Sequence, residues 1–302
     1  MLIAREEASP HVATMGHVEV SITARPDAVA ALDRLHGTLS EIGERVIACS
    51  GGIDSLVLAT VAHLAEPTAT TVAHTVTPAV PSDGTERVVE YAEREGWDLS
   101  IVRSTEFDDE AYLVNPVDRC YHCKLNLYDA VGELVRRSES TGSVILSGAN
   151  LDDLGEYRPG LAAAAEREVR HPYVEAKITK AEIRAIARHL DLVDADLPAS
   201  PCLASRLYTG TRVTPSRLRA IEAGERLVRE RTGLDVVRCR VRNSSVLVEV
   251  DNSARALITD DLLAELSLAM TTIESSIDRV ELDDLEYSPG RAFVRDPEHA
   301  AT

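Results

Sequence analysis

The stretch of this chain that most restricts its fold runs from residue 46 to residue 64. Val46-Ile47-Ala48-Cys49 is a short apolar run that reads as a buried strand, Ser50-Gly51-Gly52 breaks it, and from Ile53 to Leu64 the apolar residues return at helical spacing. A strand that feeds a helix through two glycines lets the backbone pass close to a ligand, and the helix start offers N–H groups with no partner inside the helix. Ser50 and Ser55 add hydroxyls, and Asp54 adds a carboxylate. The Gly-Lys-Ser/Thr ending of a Walker A loop is absent. The alternative is a tight turn that binds nothing; Asp54 and Ser55 in this context favour a phosphate loop.

The rhythm around this stretch fixes the fold class. Upstream, Val29, Leu32, Leu35, Leu39 and Ile42 lie at helical spacing. Downstream, strands over 70–76, 99–102 and 143–147 alternate with helices over 84–95, 125–137 and 180–189, the last opened by Thr179. Such alternation predicts an α/β domain, a parallel sheet covered on both faces, with ligands bound at the carboxyl ends of the strands. The rhythm breaks at Leu197-Pro198-Ala199-Ser200-Pro201. Helices over 215–231 and 261–275 and strands near 239–241, 246–250 and 280–282 follow, a smaller α+β unit. The expected division is an arm over 1–25, a main domain over 26–200 and a C-terminal domain over 201–302.

Two further blocks carry chemistry. Ser147-Gly148-Ala149-Asn150-Leu151-Asp152-Asp153 follows the fourth strand, and amide and acidic groups there suit Mg²⁺, a hard cation that keeps several waters. Asn150 and Asp153 are the candidate nucleotide-site residues, with Asp152 as a rival to Asp153. Cys120-Tyr121-His122-Cys123-Lys124, read as part of a loop, sets two thiols on one turn, and Cys202 stands in the inter-domain segment Pro201-Cys202-Leu203-Ala204-Ser205-Arg206. Alone, a C-x-x-C is a redox pair, half a zinc site or chance. Three cysteines make an incomplete zinc site but suit a [4Fe–4S] cluster with one iron left open. Cys49 reads as packing within a strand, and Cys239, alternating with Arg238 and Arg240, as a residue of the small domain's core. Five cysteines, an odd number, without a visible secretion signal argue against a disulfide framework.

The net charge of −18 disfavours a binder that grips duplex phosphates. Only three of the 32 basic residues are lysines: Lys124, Lys177 and Lys180. An acidic, lysine-poor surface fits either a protein kept soluble in high salt or an ordinary acidic surface. No apolar run reaches the length of a membrane helix, and a cytoplasmic location is expected.

The Ser50–Ser55 loop resembles the pyrophosphate loop of the ATP-pyrophosphatase (PP-loop) superfamily, whose members bind ATP and release pyrophosphate. Four blocks in order narrow the resemblance: Asn115 to Lys124, Gly155-Glu156-Tyr157-Arg158-Pro159-Gly160, Cys202-Leu203-Ala204-Ser205-Arg206, and Val237-Arg238-Cys239-Arg240-Val241. Together they are similar to the LarE family, ATP-dependent sulfur transferases that build the nickel-pincer cofactor. The similarity runs from about residue 26 to about residue 291.

What the resemblance implies is specific. ATP, with Mg²⁺, would be held by Ser50, Gly51, Gly52, Asp54, Ser55, Asn150 and Asp153. The substrate would be pyridinium-3,5-biscarboxylic acid mononucleotide, whose carboxylates are adenylated and converted to thiocarboxylates. Arg158, Arg238 and Arg240 would hold this substrate; Cys202, Ser205, Arg206 and Glu225 would be catalytic. In one branch of the family a single cysteine is sacrificed. In another, three cysteines hold a [4Fe–4S] cluster, and Cys120, Cys123 and Cys202 match that branch. Expected partners are the small-molecule substrate and other enzymes of the nickel-pincer pathway, with no nucleic acid and no membrane; a homo-oligomer is left open. The rival readings are another PP-loop adenylating enzyme (a tRNA thiolase or an NAD-synthetase-like amide former) and a nucleotide sensor that binds ATP without cleaving it.

Overall fold

The computed structural model describes residues 27–137, 142–155 and 158–294. The predicted arm over 1–25 lies outside the described residues, as do Glu156 and Tyr157.

The first unit opens with α1 (Ala28–Ser40), whose N-terminus is capped by the Asp27 carboxylate accepting from the Val29 and Ala30 N–H groups. Next come β1 (Arg45–Ala48), α2 (Ile53–Ala65), β2 (Thr70–Thr75), α3 (Ser82–Glu95) and β3 (Asp98–Val102). They are followed by α4 (Glu110–Leu113), α5 (Arg119–Arg137), β4 (Val144–Ser147), α6 (Pro159–Glu166), α7 (Pro172–Glu175) and α8 (Lys180–His189). The four strands form an all-parallel sheet in the order β3-β2-β1-β4. The chain lays β2 and β3 on one side of β1, then crosses to place β4 on the other. The reversal opens a crevice at the carboxyl ends of β1 and β4, where open α/β sheets bind ligands. α2 is apolar on nearly every side and lies buried at the centre, packed with Leu35, Leu39, Ile47, Leu146 and Ile183.

The second unit holds α9 (Pro215–Thr232), β5 (Arg238–Arg242), β6 (Ser245–Glu249), α10 (Asp260–Ile273) and β7 (Arg279–Leu282). β5 and β6 form an antiparallel hairpin, with Asn243 at φ 56° in its turn. β7 joins β6 in parallel after the crossover through α10. Its core gathers Leu218, Ile221, Val241, Val248, Leu266 and Met270, and also takes in Ala79 and Tyr112 from the first unit. Those two residues tie the β2 loop and the approach to α5 to the C-terminal half.

Two differences from the sequence reading matter for the site. The helix expected over 125–137 begins at Arg119, so Cys120 and Cys123 stand in its first turns and not in a loop. The polar run Arg119 to Lys124 carries no apolar period; α6 packs against it instead, so closely that a Cβ on Gly160 would lie 2.9 Å from the Lys124 side chain. The second difference is α6 itself, an alanine run without the periodicity that announces a helix.

Candidate functional site

The loop after β1 is shaped by close backbone approaches. Gly51 has φ 78°, and a Cβ there would sit 2.4 Å from the Gly84 carbonyl oxygen. Only glycine fits both the left-handed backbone and that space. Gly148, after β4, is similarly tight: a Cβ would lie 3.0 Å from the Ser55 nitrogen. The two loops therefore meet at the start of α2. Gly52 is its N-cap and supplies no side-chain cap. Ser55 Oγ donates to the Gly52 carbonyl at 2.9 Å and accepts from the Ser50 N–H at 3.1 Å, closing the turn from within.

Carboxylates and cations face this turn. The Asp54 carboxylate pairs with Lys180 at the start of α8. Burial pushes the Asp54 carboxyl up, and Lys180 pulls it back down. Asp153 pairs with Arg158 at 2.8 Å, accepts from the Asn150 N–H at 3.0 Å, and lies near enough to Asp54 to raise it further. Asp152 instead accepts from the Lys180 N–H at 2.8 Å, capping α8. Of the two neighbouring acids, Asp153 is the one that shares the crevice with Asp54. Asn150 Oδ1 accepts from the Asp152 N–H, holding that turn.

The second cluster lies where α5 meets the segment between the units. Cys120, Cys123 and Cys202 are half-buried, and no disulfide joins them. They share one neighbourhood. Burial first, then the nearby Cys202, pushes the Cys123 thiol up to about 12. Cys120 is raised by burial and by Cys202, against the pull of Arg119. Among the described residues no three His, Cys, Asp or Glu side chains are set to hold a single metal ion. A tetrahedral ion with bonds of about 2.3 Å to sulfur would need thiolates under roughly 4 Å apart. A cubane distributes its ligands over separate irons, so that single-ion limit does not apply to it.

Arg119 bears on that fit. It is 2% exposed, Nη1 donates to Asn115 Oδ1 and to the Ala204 carbonyl, both at 2.7 Å, and Nη2 has no hydrogen-bond partner. Asn115, at φ 54°, donates in turn to the Tyr208 and Thr211 carbonyls. These two residues lace α5 to the Cys202 segment. A buried guanidinium without a carboxylate among three thiols is costly unless something anionic faces it. That asymmetry and the thiol donors suit an iron–sulfur group held by Cys120, Cys123 and Cys202.

Lys124 lies between the two clusters. It is raised first by the Tyr128 phenol and then, after the opposing effect of burial, by Cys123, Cys120 and Cys202. It also lowers His171, after burial the main downward influence on that imidazole, and His171 Nδ1 bonds Ser147 Oγ at 2.8 Å beside the Asp153 turn.

The arginine-rich face has two kinds of member. Arg206 is buried and grips Glu225 with both sides of its fork, at 2.9 and 3.0 Å. Its Nη1 also donates to the Pro201 and Cys202 carbonyls and to Ser205 Oγ, so it holds the Cys202 turn. Arg240 is committed to Glu249 at 2.6 Å, which also pairs with Arg291 at 2.8 Å. Arg238 has no ion-pair partner among the described residues; it lies over the Tyr287 ring at 5.3 Å and donates to the Val237 carbonyl. Of the two arginines the sequence sets on one strand face, Arg238 is the one with charge to spare.

Tyr112 and Lys180 complete these clusters and carry no motif of their own, and within the Asn115–Lys124 block nothing in the sequence marks Asn115, Arg119 or Lys124 individually. One signal did point to two of them: in a chain with three lysines, Lys124 and Lys180 are both at the site.

No family model matches the chain. Over 236 residues it is 33% identical to the uncharacterized protein slr1717 of Synechocystis sp., a match covering 78% of this chain and 87% of that protein. It is 27% identical over 217 residues to the pyridinium-3,5-bisthiocarboxylic acid mononucleotide synthase of Lactiplantibacillus plantarum, covering 72% of this chain and 78% of the synthase. An uncharacterized protein of Methanocaldococcus jannaschii, MJ0830, is 27% identical over 215 residues, with 71% and 81% covered.

Proposed function

The chain belongs to the family of the Synechocystis protein and is more distantly similar to the Lactiplantibacillus synthase, and from that premise we propose that it is an ATP-dependent sulfur transferase making pyridinium-3,5-bisthiocarboxylic acid mononucleotide. The observation that carries the reading is the gathering of Cys120, Cys123 and Cys202 around the buried Arg119, linked through Lys124 to the turn that carries Asp153.

ATP would set its phosphates on the N–H groups at the start of α2, and Asp54 and Asp153 would hold the Mg²⁺ that accompanies it. A ring carboxylate oxygen attacks the α-phosphorus; pyrophosphate leaves, and the product is an acyl-adenylate. Lys180, now paired with Asp54, is placed to meet the charge that develops on the departing phosphates. Hydrosulfide then attacks the acyl carbon, AMP departs with the C–O bond electrons, and a thiocarboxylate remains. The same two steps repeat at the second carboxylate. A [4Fe–4S] group on Cys120, Cys123 and Cys202 would supply that sulfur at its open iron. Arg206, clamped by Glu225, keeps the Cys202 turn in place. Arg238, the uncommitted guanidinium, takes the substrate phosphate.

The test is the product. Substrate-dependent AMP and pyrophosphate should form in equal amounts, and Asp54→Asn should remove both. Formation of ADP and inorganic phosphate would overturn the reading.

A further inference from the structure

Two buried donor atoms at the cysteine cluster have no acceptor, although the Arg119 side chain comes close enough to the Cys120 thiol to favour its thiolate. Arg119 Nη2 and Tyr112 Oη are both without a hydrogen-bond partner, and the residues are 2% and 1% exposed. Their surroundings agree on direction. After burial, Cys123 and Cys202 are what most raise the Tyr112 phenol. Cys202, Cys120, Tyr112 and Cys123 are the charges that favour the cationic form of Arg119. The geometry agrees: Arg119 precedes Cys120 in the first turn of α5 and bonds the Ala204 carbonyl two residues beyond Cys202, and Tyr112 lies in the core against which Cys123 and Cys202 pack. The Phe293 ring lies 5.4 Å from the Arg119 guanidinium and Phe107 edges the Tyr112 ring at 5.6 Å. These aromatic walls lower the local dielectric and strengthen any charge interaction there. One buried carboxylate is nearby: Glu106, near Cys123 and Tyr112, also with an unpartnered oxygen. It makes no ion pair with Arg119 among the described residues.

Buried donors left without acceptors cost stability, the more so when one is charged. An anionic group lying among the thiols would satisfy both donors and balance the guanidinium charge. Resting on the cluster reading above, we propose that Arg119 and Tyr112 are positioning residues for the iron–sulfur group. Arg119 donates to its sulfurs through Nη2 and supplies its counter-charge; Tyr112 adds a neutral donor. A cation held there favours the reduced, more negative state of the group and so raises its reduction potential.

The experiment is anaerobic reconstitution of the full chain, followed by iron and sulfide analysis and a mediator titration monitored by electron paramagnetic resonance. Arg119→Gln should lower the one-electron midpoint by about 59 mV or more, roughly tenfold in the reduction equilibrium. Arg119→Lys, which keeps the charge, should recover most of that difference. Tyr112→Phe, almost the same shape, should lower the midpoint by a smaller amount. It also decides the matter should Arg119→Gln fail to fold, since Nη1 braces Asn115 and Ala204. Variants with a full cluster and wild-type midpoints would overturn the proposal while leaving the cluster reading intact. A wild-type chain that takes up no iron would overturn both.

Discussion

The corner proposed to take the nucleotide and the cysteine corner are built from different materials. At the first, the decisive contacts are backbone against backbone: Gly51 against Gly84, Gly148 against the start of α2. At the second they are buried side chains from separated segments: Arg119 with Asn115 and Ala204, Arg206 with Glu225 and the Cys202 turn. A backbone-built site depends on which positions can be glycine. A side-chain-built site depends on matched charges brought together from a distance, and its failures should be those of unpaired ions.

The largest expected effect follows from that second kind. Glu225→Leu leaves the Arg206 guanidinium buried without its partner, a change that typically costs about 3–5 kcal/mol. Urea unfolding should show that loss, while nucleotide affinity of the folded protein stays near wild type. Adding Arg206→Leu should return part of the stability; strict additivity of the two changes would deny that they act as a pair. In contrast, Gly51→Ala should strike the nucleotide corner. The forced φ and the clash at the Gly84 carbonyl should cost on the order of 2–3 kcal/mol and abolish ATP binding by calorimetry. Wild-type affinity in this variant would mean the loop is not held as described.

A smaller effect concerns the surface that encloses both corners. With a net charge of −18, long-range repulsion should outweigh exposed pairs such as Arg137–Glu133 and Arg231–Glu265, each worth about 0–1 kcal/mol. Raising KCl to about 1 M shortens the Debye length from roughly 10 to 3 Å. The thermal midpoint should rise over that range; a flat or falling one favours the ordinary acidic surface.

The smallest effect is a pH dependence beneath the nucleotide loop. The His74 ring bridges the Cys49 carbonyl and Thr85 Oγ1, at 2.8 and 2.9 Å, and burial holds it below the usual 6.5. The unfolded chain takes up this proton near pH 6.5 and the folded chain only at lower pH. Its contribution is therefore complete above about 6.5 and is lost as pH falls below it. His171 is lowered too, chiefly by burial. The difference in acid slope between wild type and His74→Gln isolates the first; identical slopes would remove His74 from the account.

The contrast between the corners also explains what could be read from the sequence. The loop from Ser50 to Ser55 and the turn from Ser147 to Asp153 are local, and glycine beside hydroxyls and acids after a strand announces both. The parallel sheet followed from apolar runs alternating with helical periods. Arg119 and Asn115 sit beside a visible C-x-x-C, yet their role depends on Ala204 and Tyr208, some ninety residues away. Arg238 and Arg240 look equivalent on the strand; only the folded structure gives Glu249 to one of them. Cys120 and Cys123 read as loop residues because the helix that carries them is held by α6, not by an apolar stripe of its own.

The central step of the proposed reaction is the delivery of sulfur to the activated carboxylate. The most direct measurement is intact mass of the anaerobically reconstituted protein after turnover with ATP, substrate and excess sulfide. More than one thiocarboxylate-bearing product per chain is expected, with an unchanged protein mass and Cys202 still a cysteine. A protein lighter by the elements of one H₂S at Cys202, with turnover ending there, would contradict this expectation.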